Sequence, residues 1–151
     1  MKKIITLLFT LLSFSAFASL DKLASDYNAG PTAAELVASG WAGNDGGKGF
    51  KVLQIVVEGT DMTAELHLDG TGKIVKYHRG LPTKMNYDYD YKMSATKDGW
   101  AEMGTGKNGP MYHMTPMIGA LSFEGPMAEA MGNMGPFAQF LVVIGTNVSA
   151  Q

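Results

Sequence analysis

The chain has 151 residues, 46% apolar and 17% charged, which suits one globular domain with a real core and leaves no room for two. A formal charge of −2, without basic runs, argues against nucleic acid and against electrostatic docking on anionic lipid heads. With no cysteine there is neither a disulfide framework nor a residue for bacterial lipoprotein acylation, so stability must come from burial.

Residues 1–18 carry the grammar of an export signal. Lys2-Lys3 is a positive n-region, Ile4 to Leu12 an apolar h-region, and Ala16-Phe17-Ala18 a small-x-small cleavage site. The apolar part is too short to span a bilayer core of about 30 Å. The short Lys-Lys form is bacterial in style, so the expected destination is the periplasm, with cleavage after Ala18. Cleavage removes two lysines and no acid, and the mature protein is expected to be soluble.

Leu20, Leu23, Ala24 and Tyr27 then recur at helical spacing. Gly30-Pro31 interrupts, because proline cannot donate inside a helix and restricts the residue before it. Thr32 is placed to cap a second short helix through Leu36 and Val37, with Gly40 ending it. Gly43 to Gly49 reads as a mobile linker. It is no phosphate loop, since Lys48 is followed by Gly49 and not by Ser or Thr. Residues 19–49 are thus a helical segment and linker, 50–144 the main domain, and 145–151 a tail.

Four strands follow. Phe50 to Val57 is nearly continuous apolar, as in a strand covered on both faces. Met62 to Leu68 alternates, with Met62, Ala64, Leu66 and Leu68 inward and Thr63, Glu65 and His67 outward. Asp69-Gly70-Thr71-Gly72 is a hairpin turn, and Lys73 to His78 returns. Met85 to Ser94 alternates most cleanly, with Asp88 and Asp90 on a solvated face.

The cover for the dry face is helical. Thr96 or Ser94 can cap a helix presenting Trp100 and Met103. Pro110 and Pro116 bracket a segment from Met111 to Met117. Ala120 to Glu124 reads as a fifth strand. After Pro126 a long apolar helix begins with a stripe of Met127, Met131 and Met134, is kinked or restarted at Pro136, and continues through Phe137, Phe140, Leu141 and Ile144. The fold class is α+β: a five-stranded, largely antiparallel sheet with helices on one face.

Catalytic groupings are missing. The three histidines are far apart in sequence, and no spacing supports Ser-His-Asp or Cys-His chemistry. Gly104 to Gly109 matches G-x-G-x-x-G but follows a helix instead of a strand, so it fails the context of a dinucleotide site. No cofactor is expected. Seven of eleven methionines lie between Met103 and Met134. Methionine fills cores and also lines surfaces that must fit more than one apolar shape. Met111, His113, Met114 and Met117 offer a rival, a Cu(I) site in which thioethers and an imidazole share an ion. The prolines restrict the backbone that would gather them.

The order of a capped helix at Ser94 to Met103, a Gly106-Lys107-x-x-Pro110 turn, and Ile118 to Met131 with Gly125-Pro126-Met127-Ala-x-Ala-Met131 resembles the sterol carrier protein 2 family, in an exported bacterial form. The resemblance covers about Phe50 to Leu141. It implies a non-catalytic domain whose sheet and helices enclose an apolar tunnel for a lipid or fatty-acyl ligand, with transient membrane contact as a consequence. By position it implies a tunnel lined by Trp100, Met103, Met114, Met117, Leu121, Phe123, Met127 and Met131, with Phe137, Phe140 and Leu141 at its mouth. The expected function is a periplasmic lipid carrier; a Met/His copper protein and an unliganded accessory domain are the alternatives. The signal grammar yields the first prediction: intact-mass measurement of the secreted protein should read a chain starting at Ser19, and a product retaining Met1 would contradict it.

Overall fold

The computed structural model describes residues 20–80 and 88–149. The export signal expected at 1–18 and the Met85–Tyr87 portion of the expected fourth strand lie outside these described residues. The elements run α1 (Leu20–Ala29), α2 (Thr32–Ala38), β1 (Phe50–Val57), β2 (Met62–Asp69), β3 (Ile74–Gly80), β4 (Tyr91–Ala95), α3 (Lys97–Gly104), α4 (Pro110–His113), β5 (Ser122–Glu124), α5 (Met127–Met131) and α6 (Met134–Ser149).

The sheet has five strands in the order β3-β2-β1-β4-β5. It is mixed: β1–β2, β2–β3 and β4–β5 are antiparallel, while β1 and β4 run parallel. The largely antiparallel sheet expected is thus found in three of the four pairings, and the β1–β4 pairing is the correction. The stretch between Gly80 and Tyr91 is longer than the two to five residues of a hairpin loop. β4 instead takes the free edge of β1, where Tyr91, Met93 and Ala95 line up with Leu53, Ile55 and Val57. The strand expected from Met85 to Ser94 is described as Tyr91–Ala95.

Alternation then decides the two faces. Leu53, Ile55, Val57, Ala64, Leu66, Leu68, Tyr91, Met93 and Ala95 share the face that joins the helices in one buried core. The opposite face was expected to be wet. At its centre it is not, since Val52, Gln54, Thr63, Glu65 and His67 are all buried.

The helices are placed by particular contacts. α1 buries Leu20, Leu23, Ala24 and Tyr27, as its spacing predicts. Tyr27 donates its hydroxyl to the Gly72 carbonyl at 2.7 Å, and Asn28 bonds both backbone groups of Ile74 at 2.9 Å. The β2–β3 turn is thereby fastened to α1. It also lies so close to α2 that a Cβ on Gly72 would stand 2.4 Å from the Ala33 carbonyl, and Gly72 has φ +71°. Thr32 is the first residue of α2, not its cap, and its hydroxyl donates to Gln139 at 3.0 Å. The Gly43–Gly49 linker is pinned at two points, by Asn44 to Glu129 at 2.6 Å and by Lys48 to Asp90 at 2.7 Å. Asp90 is no solvated strand residue: its backbone N–H reaches the Val52 carbonyl at 2.9 Å and its carboxylate accepts from the Val52 N–H at 2.7 Å.

Thr96 caps α3 by accepting from Gly99 at 3.1 Å, and Trp100 and Met103 are buried on it. α4 is shorter than the expected Met111–Met117 segment. Pro116 disfavours helical geometry at the residue before it, and Met117 turns out at φ 69°. The long apolar helix expected after Pro126 is two helices, with Pro136 in the first turn of α6, where its missing N–H breaks no helical bond. The tail expected from residue 145 is helical to Ser149, because Ile144 and Val148 continue the buried stripe of Phe137, Phe140 and Leu141.

α6 meets α3 at two glycines. A Cβ on Gly145 would lie 2.3 Å from the Trp100 carbonyl, and one on Gly104 would lie 2.8 Å from the Gly145 carbonyl carbon. Gly145→Ala should therefore wedge the helices apart and lower stability by about 1–3 kcal/mol in urea unfolding. Gly135→Ala, with nothing within 4 Å of the added methyl, should be neutral or stabilising by up to about 1 kcal/mol.

Candidate functional site

A crevice lies between helices and sheet. α2 contributes Leu36, the turn after it Trp41, the strands Leu53 and Leu68, and the start of α6 Pro136, Phe137 and Phe140. Every one of these side chains is apolar. The empty volume is about 190 Å³, partly open to solvent, and too narrow to hold a water molecule. It is a closed-down crevice; no through-tunnel is seen among the described residues.

A charged cluster stands at the Trp41 side. Lys51 projects from β1 into the helix-covered face and is 2% exposed. Its ammonium lies 2.8 Å from both oxygens of Glu129 on α5 and 4.4 Å from the Trp41 ring centroid, a cation–π distance. Tyr91 also donates its hydroxyl to Glu129 in a short hydrogen bond, and Asn44 donates at 2.6 Å. Trp41 donates its indole N–H to the Tyr91 oxygen at 3.1 Å. Phe137 closes the ring stack, 5.8 Å from Trp41 and 5.4 Å from Tyr91. Burial pushes the Glu129 carboxyl up, but hydrogen bonds from Lys51, Tyr91 and Asn44 outweigh it and hold it below the usual carboxylate range. Burial, reinforced by the bond to Glu129, raises the Tyr91 hydroxyl well above its ordinary value.

The residues expected to line a tunnel fall into three groups. Phe137 and Phe140 do line the crevice. Trp100, Met103, Leu121 and Leu141 are buried in the core away from it, and Met114 and Phe123 pack half-buried against that core. Met117, Met127 and Met131 are exposed, Met127 at 44% and Met131 at 53%, so the expected inward stripe is corrected. The reason lies in Glu129, which sits on the opposite side of α5 and is drawn in by Lys51, turning the two methionines out. Leu36, Trp41, Leu53, Leu68 and Pro136 were missed, as was the ion pair. A lysine inside the apolar run of β1 was the available signal, since a buried ammonium demands an acid.

The copper grouping does not assemble. His113 is 1% exposed, while Met111 and Met117 point into solvent. Neither ring nitrogen of His113 has a partner among the described residues. Two histidines distant in sequence do meet, because the β2–β3 hairpin brings His67 and His78 to one carboxylate, Glu65.

No family model matches the chain, and no curated protein sequence does. Among solved structures, a conserved hypothetical protein from Thermus thermophilus, for which a sterol carrier role has been suggested, is similar at 19% identity and a TM-score of 0.47, over 89% of this chain and 84% of that one. The stereoselective inverting sec-alkylsulfatase of a Pseudomonas species is similar at 13% identity and a TM-score of 0.47 over 74% of this chain, which spans only 14% of the sulfatase.

The ion pair yields a test of the α5 anchor. Glu129→Gln leaves a buried ammonium without its anion and should cost roughly 3–5 kcal/mol at neutral pH, whereas Lys51→Met with Glu129→Gln should recover most of it. A carboxyl held below its usual range stabilises the fold above that range and stops doing so as pH falls through it. Wild-type melting temperature should therefore drop below about pH 4.3, and less steeply in the double variant.

Proposed function

We propose that this protein binds a hydrophobic ligand with an acidic head, such as a fatty acid, without transforming it. The observation that carries this is the wholly apolar crevice ending beside a buried cation. An acyl chain in water costs about 0.8 kcal/mol for each exposed CH₂, and a dry slot relieves that cost. The crevice is smaller than the roughly 300–1,000 Å³ of ligand pockets, so uptake requires it to open. α5 is the part to move. It is five residues long, and its bonds to the strand layer run through the Glu129 side chain to Lys51 and Tyr91. A ligand carboxylate can take over the Lys51 ammonium and release α5.

Exposed apolar groups support contact with a donor surface. Met111, Tyr112, Met117 and Ile118 lie before β5, and Met127 and Met131 lie after it. An exposed apolar set of this kind is a usual mark of a binding or membrane-contact surface. The resemblance of Ser94 to Met131 to sterol carrier protein 2 points toward the same ligand class. With the signal grammar of residues 1–18, the reading becomes a periplasmic carrier, loaded and emptied at membranes. The Met/His copper alternative loses ground because Met117 and His113 do not share a surroundings.

Titration with a fluorescent fatty acid tests the reading. Wild type should bind one equivalent in the micromolar range or tighter, displaced by unlabelled fatty acid. Leu36→Trp, which fills the crevice, should weaken binding at least tenfold, while Val37→Trp on the exposed side of α2 leaves it unchanged. Absence of saturable binding, or equal effects of both changes in variants with native circular dichroism, would overturn the assignment.

A further inference from the structure

The sheet face away from the helices holds a second constellation, independent of the crevice. β2 places Glu65 and His67 on that face, two positions apart, and β3 sets His78 opposite Glu65 in register. Nε2 of His67 lies 2.7 Å from Glu65 Oε1, and Nε2 of His78 lies 3.8 Å from the same oxygen. One ligand atom from each of the three side chains falls within 4.8 Å of the other two.

We propose that Glu65, His67 and His78 bind a divalent transition-metal ion of the zinc class. Bonds of about 2.0–2.2 Å in a tetrahedral site put neighbouring ligand atoms roughly 3.4 Å apart, so the observed spacing needs only small side-chain adjustments. Two imidazole nitrogens and one carboxylate oxygen are a donor set for zinc. Calcium and magnesium require six or more oxygens, and Cu(I) selects sulfur. Glu65 and His67 are buried and preplaced, while the His78 side chain is 43% exposed and closes from the solvent side.

Outer contacts hold the ligands in orientation, as metal sites generally require. Gln54, the cross-strand partner of Glu65 on β1, extends Nε2 toward the other carboxylate oxygen at 3.5 Å. Phe50 stacks on the His67 ring at 4.7 Å and 10°. A one-residue register shift between His67 and Leu68 sets His78, and not Tyr77, opposite Glu65, just beyond the turn that Tyr27 and Asn28 tie to α1. Lys76, opposite His67 in the register, is exposed, so its charge can extend into solvent. A bound ion would join edge strand β3 to β2.

The test is titration of untagged protein with Zn²⁺ against a chromophoric chelator, alongside nitrogen NMR of the histidine rings. One equivalent should bind, moving the ring signals of His67 and His78 and leaving His113 in place. His78→Ala, at an exposed position that the fold tolerates, should weaken binding at least 100-fold, as should Glu65→Gln and His67→Ala. Should either buried variant fail to fold, His78→Ala decides alone. No stoichiometric uptake, uptake that survives His78→Ala, or signal changes at His113 instead would overturn the site.

Discussion

Lys51 sits on the covered face of the central strand, and the layer above it is arranged around the need to answer that charge. An unpaired ammonium at 2% exposure would carry a desolvation penalty of several kcal/mol. Glu129 meets it, and in doing so fixes where α5 lies and which way its methionines face. Tyr91 and Asn44 complete the carboxylate, so β4 and the glycine-rich turn are tied to the same point. Buried ion pairs seldom add net stability over an apolar replacement. What this one determines is geometry: it ties a short helix to the central strands beside the Trp41 wall of the apolar slot.

Much of the architecture was legible because burial imposes period. α1 announced itself through Leu20, Leu23, Ala24 and Tyr27, and β2 through the alternation of Met62 to Leu68. Thr96 as a cap and Gly40 as a terminator follow from local backbone chemistry alone. Strand neighbours were another matter. Nothing local tells Tyr91 to lie beside Leu53, and a strand that alternates cleanly pairs equally well in either direction. The wet outer face failed for a similar reason: Thr63, Glu65 and His67 are polar, and polarity alone does not say that a position is exposed.

The site was less legible than the fold. Methionine spacing at 127 and 131 described a stripe correctly but not its direction, because direction depended on an acid between them finding a lysine 78 positions away. Trp41 and Leu36 lie in the helical segment and linker before the main domain, yet they form one wall of the crevice. His67 and His78 are apart in sequence and adjacent in space only through the Asp69–Gly72 turn. Counting residues across that hairpin would have set Tyr77 opposite Glu65, because the register shifts by one residue between His67 and Leu68.

The parallel pairing of β1 with β4 has a kinetic consequence. The Val52 N–H donates to the Asp90 carboxylate, 38 positions along the chain, so the central strand stays one-sided until that much sequence has come together. Closure of so long a loop must precede the reward of the contact, which slows folding relative to a chain of hairpins. During that interval β1 presents an apolar, unpaired edge to its surroundings. The nascent domain is thus most vulnerable to self-association after β2 and β3 have formed and before Tyr91 arrives.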